Sequence, residues 1–126
     1  MSSVYLCGRD DSDTSKPVFV HMSLFQQKLL LRYGNKVCLI DATHNTTVYD
    51  MPLFMICVPT NSGYVVAASF LTTDCQAVSI EAGVRAIQTL CPDWKPQFVM
   101  SDYCEAQIAA VEAVFPGFLR VISLKV

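Results

Sequence analysis

The segment LFMICVPTNSGYVVAASFL, residues 53–71, contains two apolar runs separated by a short polar turn. The turn at 61–63, Asn-Ser-Gly, is made of residue types that favour tight turns. Pro59 closes the first apolar run. We therefore predict that strands near 53–59 and 64–71 pair as an antiparallel hairpin.

Further strands and helices are predicted on both sides of this hairpin. Apolar periodicity predicts strands near 18–20, 37–41, 97–101 and 119–125, and helices near 23–33, 76–91 and 104–115. Consecutive strands followed by alternating helices and strands are typical of a mixed α/β sheet, and this is the fold class that the sequence predicts.

Two capping boxes indicate where helices begin. Ser23 with Gln26, and Thr73 with Gln76, have the spacing at which each side chain can bond the other residue's backbone N–H. These pairs predict the starts of the first two helices.

Length and composition indicate one domain. A chain of 126 residues is long enough for one hydrophobic core, and 52% hydrophobic with 16% charged residues excludes disorder for most of its length. Residues 9–16 are polar and charged, so we predict a flexible N-terminal segment over 1–16. Residues 17–126 are predicted to form a single domain.

Charge and cysteine content narrow the class of protein. A net charge of −2 disfavours a strongly basic nucleic-acid-binding protein, and no apolar run approaches the roughly 18 residues of a membrane span. The N-terminus does not resemble a secretory signal. We therefore expect a nuclear or cytoplasmic protein that is not secreted and has no membrane partner. Its six cysteines are expected to be reduced thiols, with Cys38, Cys57 and Cys91 mostly buried.

Two aspartates follow predicted buried strands. Asp41 ends the strand near 37–41, and Asp102 follows the strand near 97–101. If these strands are parallel neighbours, the two carboxylates share one cleft, and Mg²⁺ or Mn²⁺ is the cation that such oxygen ligands suit. The alternatives are that Asp102 caps a helix together with Glu105, and that Asp41 makes an Asx-turn.

The chain resembles the Mutator-like (MULE) transposase domain over five segments, from about Phe19 to Gly117. The segments are LLRYGN (30–35), LIDATH (39–44), YDMPLF (49–54), WKPQFVMSD (94–102) and AAVEAVFPG (109–117). The resemblance is closest to domesticated relatives in which this domain accompanies a SWIM-type zinc finger. It implies a ribonuclease H-like fold with a catalytic Asp, Asp, Glu (DDE) triad. By resemblance, Asp41 matches the first acid and Asp102 the second.

The resemblance stops after Gly117. In the family, a Cys/His-containing stretch, further helix and the third acid follow, whereas residues 118–126 contain no His, Cys or acid. Glu105 lies too near Asp102 in sequence to be the third acid, and Glu112 lies two helical turns further on. We therefore expect a domain truncated after its fifth strand, without the family's third acid, DNA-binding region or SWIM zinc finger.

Other polar residues are weaker candidates for a site. His44 lies three residues after Asp41, and Thr43, Asn45 and Thr46 could bind a phosphate, but these are also ordinary loop residues. Three cations, Lys28, Arg32 and Lys36, form a small basic cluster that is typical of a solvated helix face.

Three interpretations of function remain open. The first is a transposase-derived domain that no longer cuts DNA and serves as a nucleic-acid or protein interaction module. The second is a metal-dependent DDE-type DNA transposase or nuclease whose third acid comes from a missing segment. The third is a non-functional transposon remnant. DNA is a candidate partner, and an uncovered sheet edge would permit self-association or protein binding.

Overall fold

The computed structural model describes residues 4–7, 18–43, 52–102, 105–116 and 120–124. The strands are β1 (Val4–Cys7), β2 (Val18–His21), β3 (Val37–Thr43), β4 (Leu53–Thr60), β5 (Gly63–Leu71), β6 (Phe98–Asp102) and β7 (Arg120–Leu124). The helices are α1 (Leu24–Tyr33), α2 (Ala77–Leu90) and α3 (Glu105–Val114). In these ranges, no helix is both long and apolar enough to cross a membrane.

The strands form one mixed sheet in the order β1-β2-β5-β4-β3-β6-β7. The predicted hairpin of β4 and β5 is antiparallel, and β3 also pairs antiparallel with β4. The strands β3, β6 and β7 pair in parallel. The predicted mixed α/β fold is therefore confirmed, with β3 to β7 contiguous in one mixed sheet, and the strands that carry the two aspartates lie side by side.

Two strands extend this sheet beyond β5. The strand β2 pairs antiparallel with β5, and β1 pairs antiparallel with β2. The sequence predicted β2 but placed the residues of β1 in the flexible segment 1–16. For Val4–Cys7 the structure differs from that prediction, because the backbone of these residues pairs with that of Val18–His21. The other residues of the segment lie outside the described ranges.

The first capping box is confirmed and the second is wrong. The Gln26 N–H donates to the Ser23 hydroxyl at 3.1 Å, while the Ser23 N–H donates to Gln26 Oε1 at 2.8 Å. In α2 the N-cap is Gln76, which has no side-chain capping bond. The N–H of Gln76 donates instead to Asp74 Oδ1 at 3.0 Å, so an aspartate turn replaces the predicted Thr73–Gln76 box.

All three helices pack on one face of the sheet. Along β3 and β4, buried residues alternate with half-exposed ones. The buried set, which includes Cys38, Ile40 and Phe54, belongs to the same core as Leu30 of α1, Ile87 of α2 and Val111 of α3. We call the half-exposed side of β3, β4 and β5 the open face; it carries Leu39, Asp41, Leu53, Met55, Cys57 and Leu71.

Trp94 fixes the connection between α2 and β6. Its ring is buried and makes an edge contact with Phe115 at 5.2 Å between centroids. Its Nε1–H donates to the Gly34 carbonyl at 3.3 Å and lies 3.4 Å from Cys38 Sγ. Trp94 therefore joins the end of α1, the start of β3 and the end of α3.

The state and burial of the described cysteines agree in part with the prediction. Cys38, Cys57 and Cys91 are free thiols. Cys38 and Cys91 are buried, but Cys57 is only half-buried because it lies on the open face. The side chains of Cys7 and Cys104 lie outside the described residues.

Candidate functional site

Asp41 lies on the open face near the carboxyl end of β3. Its carboxyl group is half-buried, and its backbone is paired with Met55 across the β3–β4 ladder. The strand β3 continues to Thr43, so Asp41 lies two residues before the end of the strand instead of ending it as predicted. An Asx-turn at the strand end is therefore wrong for Asp41.

Asp102 is the last residue of β6, which runs parallel to β3. The parallel register pairs Ile40 with Ser101, so Asp41 and Asp102 each follow one residue after the same paired position. The sheet thus places the two aspartate backbones beside each other, at the end where the carboxyl ends of β3, β6 and β7 meet. In open α/β sheets this is the edge at which ligands bind.

A buried hydrogen bond holds the end of β6 against α3. The Ser101 hydroxyl donates to Gln107 Oε1 at 2.6 Å, and both side chains are buried. Gln107 lies on the face of α3 that also buries Ala110, Val111 and Val114. This bond ties the residue immediately before Asp102 to α3.

The thiol of Cys57 responds to the charge of Asp41. Burial raises the pKa of Cys57 above its ordinary value of 9.0, and the negative charge of Asp41 raises it further. Both residues lie on the open face, where Cys57 is paired with Leu39, two residues before Asp41. At neutral pH, Cys57 is therefore a neutral thiol beside the carboxylate.

The two glutamates of α3 are the nearby candidates for a third acid. Glu105 is the first residue of α3 and is exposed, and Glu112 is exposed two turns further along the helix. In the part of the chain that the structure describes, no group of three His, Cys, Asp or Glu side chains could hold a metal ion. Two carboxylate oxygen donors suit one hard divalent cation, and they leave a second cation without ligands.

The weaker sequence candidates lie apart from this pair or outside the described residues. Thr43 is half-buried at the end of β3. Lys28 and Arg32 are exposed on α1, and Lys36 is exposed just after that helix. His44, Asn45 and Thr46 lie in the range 44–51, which is not described.

Sequence reasoning missed two residues near the site. Gln107 could have been found, since it is a polar residue at the helical spacing of an otherwise apolar face. Cys57 could not have been found from the sequence, because its closeness to Asp41 depends on the register between β3 and β4.

Comparison with known proteins identifies the family. A model of the MULE transposase domain matches residues 37–122, more than half of the chain. The chain therefore belongs to the MULE transposase domain family, as its sequence segments indicated. The match begins with β3, ends inside β7 and includes both Asp41 and Asp102. No curated protein matches the chain, and no solved structure matches it.

Proposed function

We propose that this chain is a transposase-derived, ribonuclease H-like domain that does not cut DNA and acts as a nucleic-acid or protein interaction module. One observation carries the proposal: the backbones of Asp41 and Asp102 take neighbouring positions on parallel strands, while the side chains that the structure describes contain no group of three His, Cys, Asp or Glu residues that could hold a metal ion. The family membership supports a transposase origin. The incomplete acidic set argues against the family's chemistry.

The two aspartates would hold one Mg²⁺ or Mn²⁺ weakly. Mg²⁺ is usually bound through one or two carboxylates with several waters, so Asp41 and Asp102 are a sufficient protein contribution for one ion. When bound, such an ion supplies charge that polarises a phosphate oxygen. The chain's own contribution would be to hold the backbones of Asp41 and Asp102 side by side at one sheet edge, with the Ser101–Gln107 bond tying the end of β6 to α3.

Cleavage of DNA by a two-metal mechanism needs more acidic ligands than Asp41 and Asp102 provide. In two-metal sites the ions lie about 3.5–4 Å apart, where they stabilise both the attacking and the leaving oxygen. A second ion would add positive charge that two carboxylates alone do not offset. The domain is therefore proposed to bind without cutting.

A cleavage assay tests the proposal. Purified chain is incubated with labelled single- and double-stranded DNA in Mg²⁺ and in Mn²⁺, beside an Asp41→Ala/Asp102→Ala double variant. The matched control is a Glu81→Ala variant, which removes a half-buried carboxylate of α2 that pairs with Arg85 and lies far along the chain from the site. We expect no metal-dependent cleavage by any of the three proteins. Cleavage that wild type and Glu81→Ala share and the double variant lacks would overturn the proposal.

The alternative is a metal-dependent DDE-type transposase or nuclease that receives its third acid from another segment. The neighbouring positions of Asp41 and Asp102 favour this alternative, since they preserve the first two acids of the family's triad. Cleavage lost in the double variant would establish it.

A further inference from the structure

The outer side of α1 is an apolar and basic stripe. Leu24 is 59% exposed, Phe25 68% and Leu31 38%. At 100° per residue, these side chains and the exposed Lys28 and Arg32 fall on one contiguous third of the helix, opposite the buried Leu30. We call Leu24, Phe25, Lys28, Leu31 and Arg32 the α1 stripe. It faces away from the sheet that α1 packs on, so nothing in the described fold covers it.

The open face is a second apolar surface, on the other side of the molecule. None of the three described helices packs on it, and the sequences of β3, β4 and β5 contain one carboxylate, Asp41, and no lysine or arginine. Near the β2 side, this surface contains a pocket of about 240 Å³ lined by residues that include Phe19, Leu53 and Leu71. The pocket is almost wholly apolar and is large enough to accept one aromatic side chain.

We propose that copies of this chain associate head to tail, with the α1 stripe of one copy seated on the open face of the next. Phe25 enters the pocket beside Leu53 and Leu71, and Lys28 and Arg32 lie over the Asp41 side of the face. The contact covers both apolar surfaces and pairs the cations of one with the carboxylate of the other. The association does not depend on DNA cleavage, but a divalent ion bound at Asp41 would compete with Lys28 and Arg32 for its carboxylate.

The charges favour this arrangement over a symmetric pairing of two open faces. A symmetric contact would bring the Asp41 carboxylates of both copies to one apolar interface, and β3, β4 and β5 supply no cation to either. The head-to-tail contact leaves each terminal copy with one free stripe or face. Association is then open-ended and grows with protein concentration.

The test uses two variants of the whole chain, and each variant has one of the two surfaces disrupted by a charged side chain. Phe25→Asp puts a carboxylate in the stripe, and Leu71→Lys puts a cation into the pocket. Sedimentation velocity over a wide concentration range should show association of the wild type. For each variant alone, the dissociation constant should rise at least roughly tenfold. Mixed in equal amounts, the two variants should form a 1:1 dimer, because each still carries the surface that the other lacks.

Circular dichroism melting checks that each variant is folded. Arg32→Glu is a second stripe variant that alters only an exposed side chain, and Lys95→Glu is its matched control on an exposed loop. We expect Arg32→Glu to weaken association and Lys95→Glu to leave it unchanged. A wild type that stays monomeric, a folded Phe25→Asp that associates like wild type, or folded variants that do not pair when mixed would each overturn the proposal. If Leu71→Lys does not fold, the behaviour of Phe25→Asp and Arg32→Glu still decides.

Discussion

Cys38 lies where the start of β3 meets the end of α1 and the α2–β6 connection. Its thiol donates to the Gly34 carbonyl at 3.1 Å and lies 3.4 Å from the Nε1–H of Trp94. Burial raises the pKa of Cys38 to about 12, and the Trp94 hydrogen bond offsets only part of that effect. The thiol is therefore a small neutral group of the core, and its role is structural.

The raised pKa predicts a loss of stability at high pH. The folded chain keeps the Cys38 proton up to about pH 12, whereas in the unfolded chain the thiol loses its proton near its ordinary pKa of 9.0. Because the unfolded state then binds fewer protons, the free energy of unfolding should fall as pH rises from about 9 to about 12. Urea unfolding at a series of pH values measures this. A Cys38→Val variant should show a smaller fall in the free energy of unfolding over this pH range. An equal fall in the wild type and in Cys38→Val would contradict the prediction.

The Ser101–Gln107 bond should contribute measurably to stability. Gln107→Leu removes a buried hydrogen bond that fixes β6 on α3, so we expect the free energy of unfolding to fall by about 1 kcal/mol. Urea unfolding of Gln107→Leu, Ser101→Ala and the double variant forms a double-mutant cycle. If the two side chains are coupled, the change in the free energy of unfolding for the double variant should differ from the sum of the two single changes. Strict additivity would show that the bond contributes nothing.

At the scale of elements, Gly83 sets how closely α2 approaches the sheet. A Cβ at this position would overlap the ring of Phe70 in β5. That ring cannot move aside easily, because it is stacked on Phe54 with 5.0 Å between the ring centroids. The glycine is therefore required for packing, although it lies inside a helix where glycine is intrinsically unfavourable.

Gly83→Ala should destabilise the fold despite its better helix propensity. Alanine gains up to about 1 kcal/mol over glycine in a helix, but overpacking a core costs about 1–3 kcal/mol. We expect a net loss in the free energy of unfolding, measured by urea denaturation. Thr89→Ala, at an exposed position of the same helix, is the control and should change stability by less than about 0.5 kcal/mol. A Gly83→Ala protein more stable than wild type would contradict the packing argument.

Most elements could be predicted because their patterns are local. The capping box at Ser23 and the turn at 61–63 each lie within four residues, and both features are found in the structure. The start of α2 was predicted to within one residue, but its capping box was predicted wrongly because an aspartate one residue after Thr73 accepts from the Gln76 N–H. Turn and capping residues compete for the same backbone groups, and sequence alone did not show which of them would bond.

Long-range features were not predictable in this way. The strand β1 is four residues long, and it is defined by pairing with β2 across ten intervening residues. The packing of all three helices on one face also depends on the whole sheet, since periodicity reveals an apolar face but not the side of the sheet on which it lies. The half-exposed position of Cys57 follows from the same cause.

For the molecule as a whole, the sequence predicted that the two aspartates lie at one edge of the sheet, but it did not predict which residues surround them. Two buried strands, each followed or ended by an aspartate, predicted a shared edge, and the parallel register of β3 and β6 places the two backbones there. The surroundings of the pair did not follow from the sequence. The register between β3 and β4 brings Cys57 close to Asp41. Gln107 of α3 accepts a hydrogen bond from Ser101 of β6.

We propose that Asp41 and Asp102 together hold one weakly bound divalent ion. Mn²⁺ titration measures this directly: electron paramagnetic resonance counts the bound ions, and line broadening in the amide NMR spectrum locates them. We expect one weakly bound ion per chain and broadening centred on residues 41 and 102, with both effects lost in an Asp41→Asn/Asp102→Asn variant. Two bound ions per chain, or binding that the double variant retains, would contradict it.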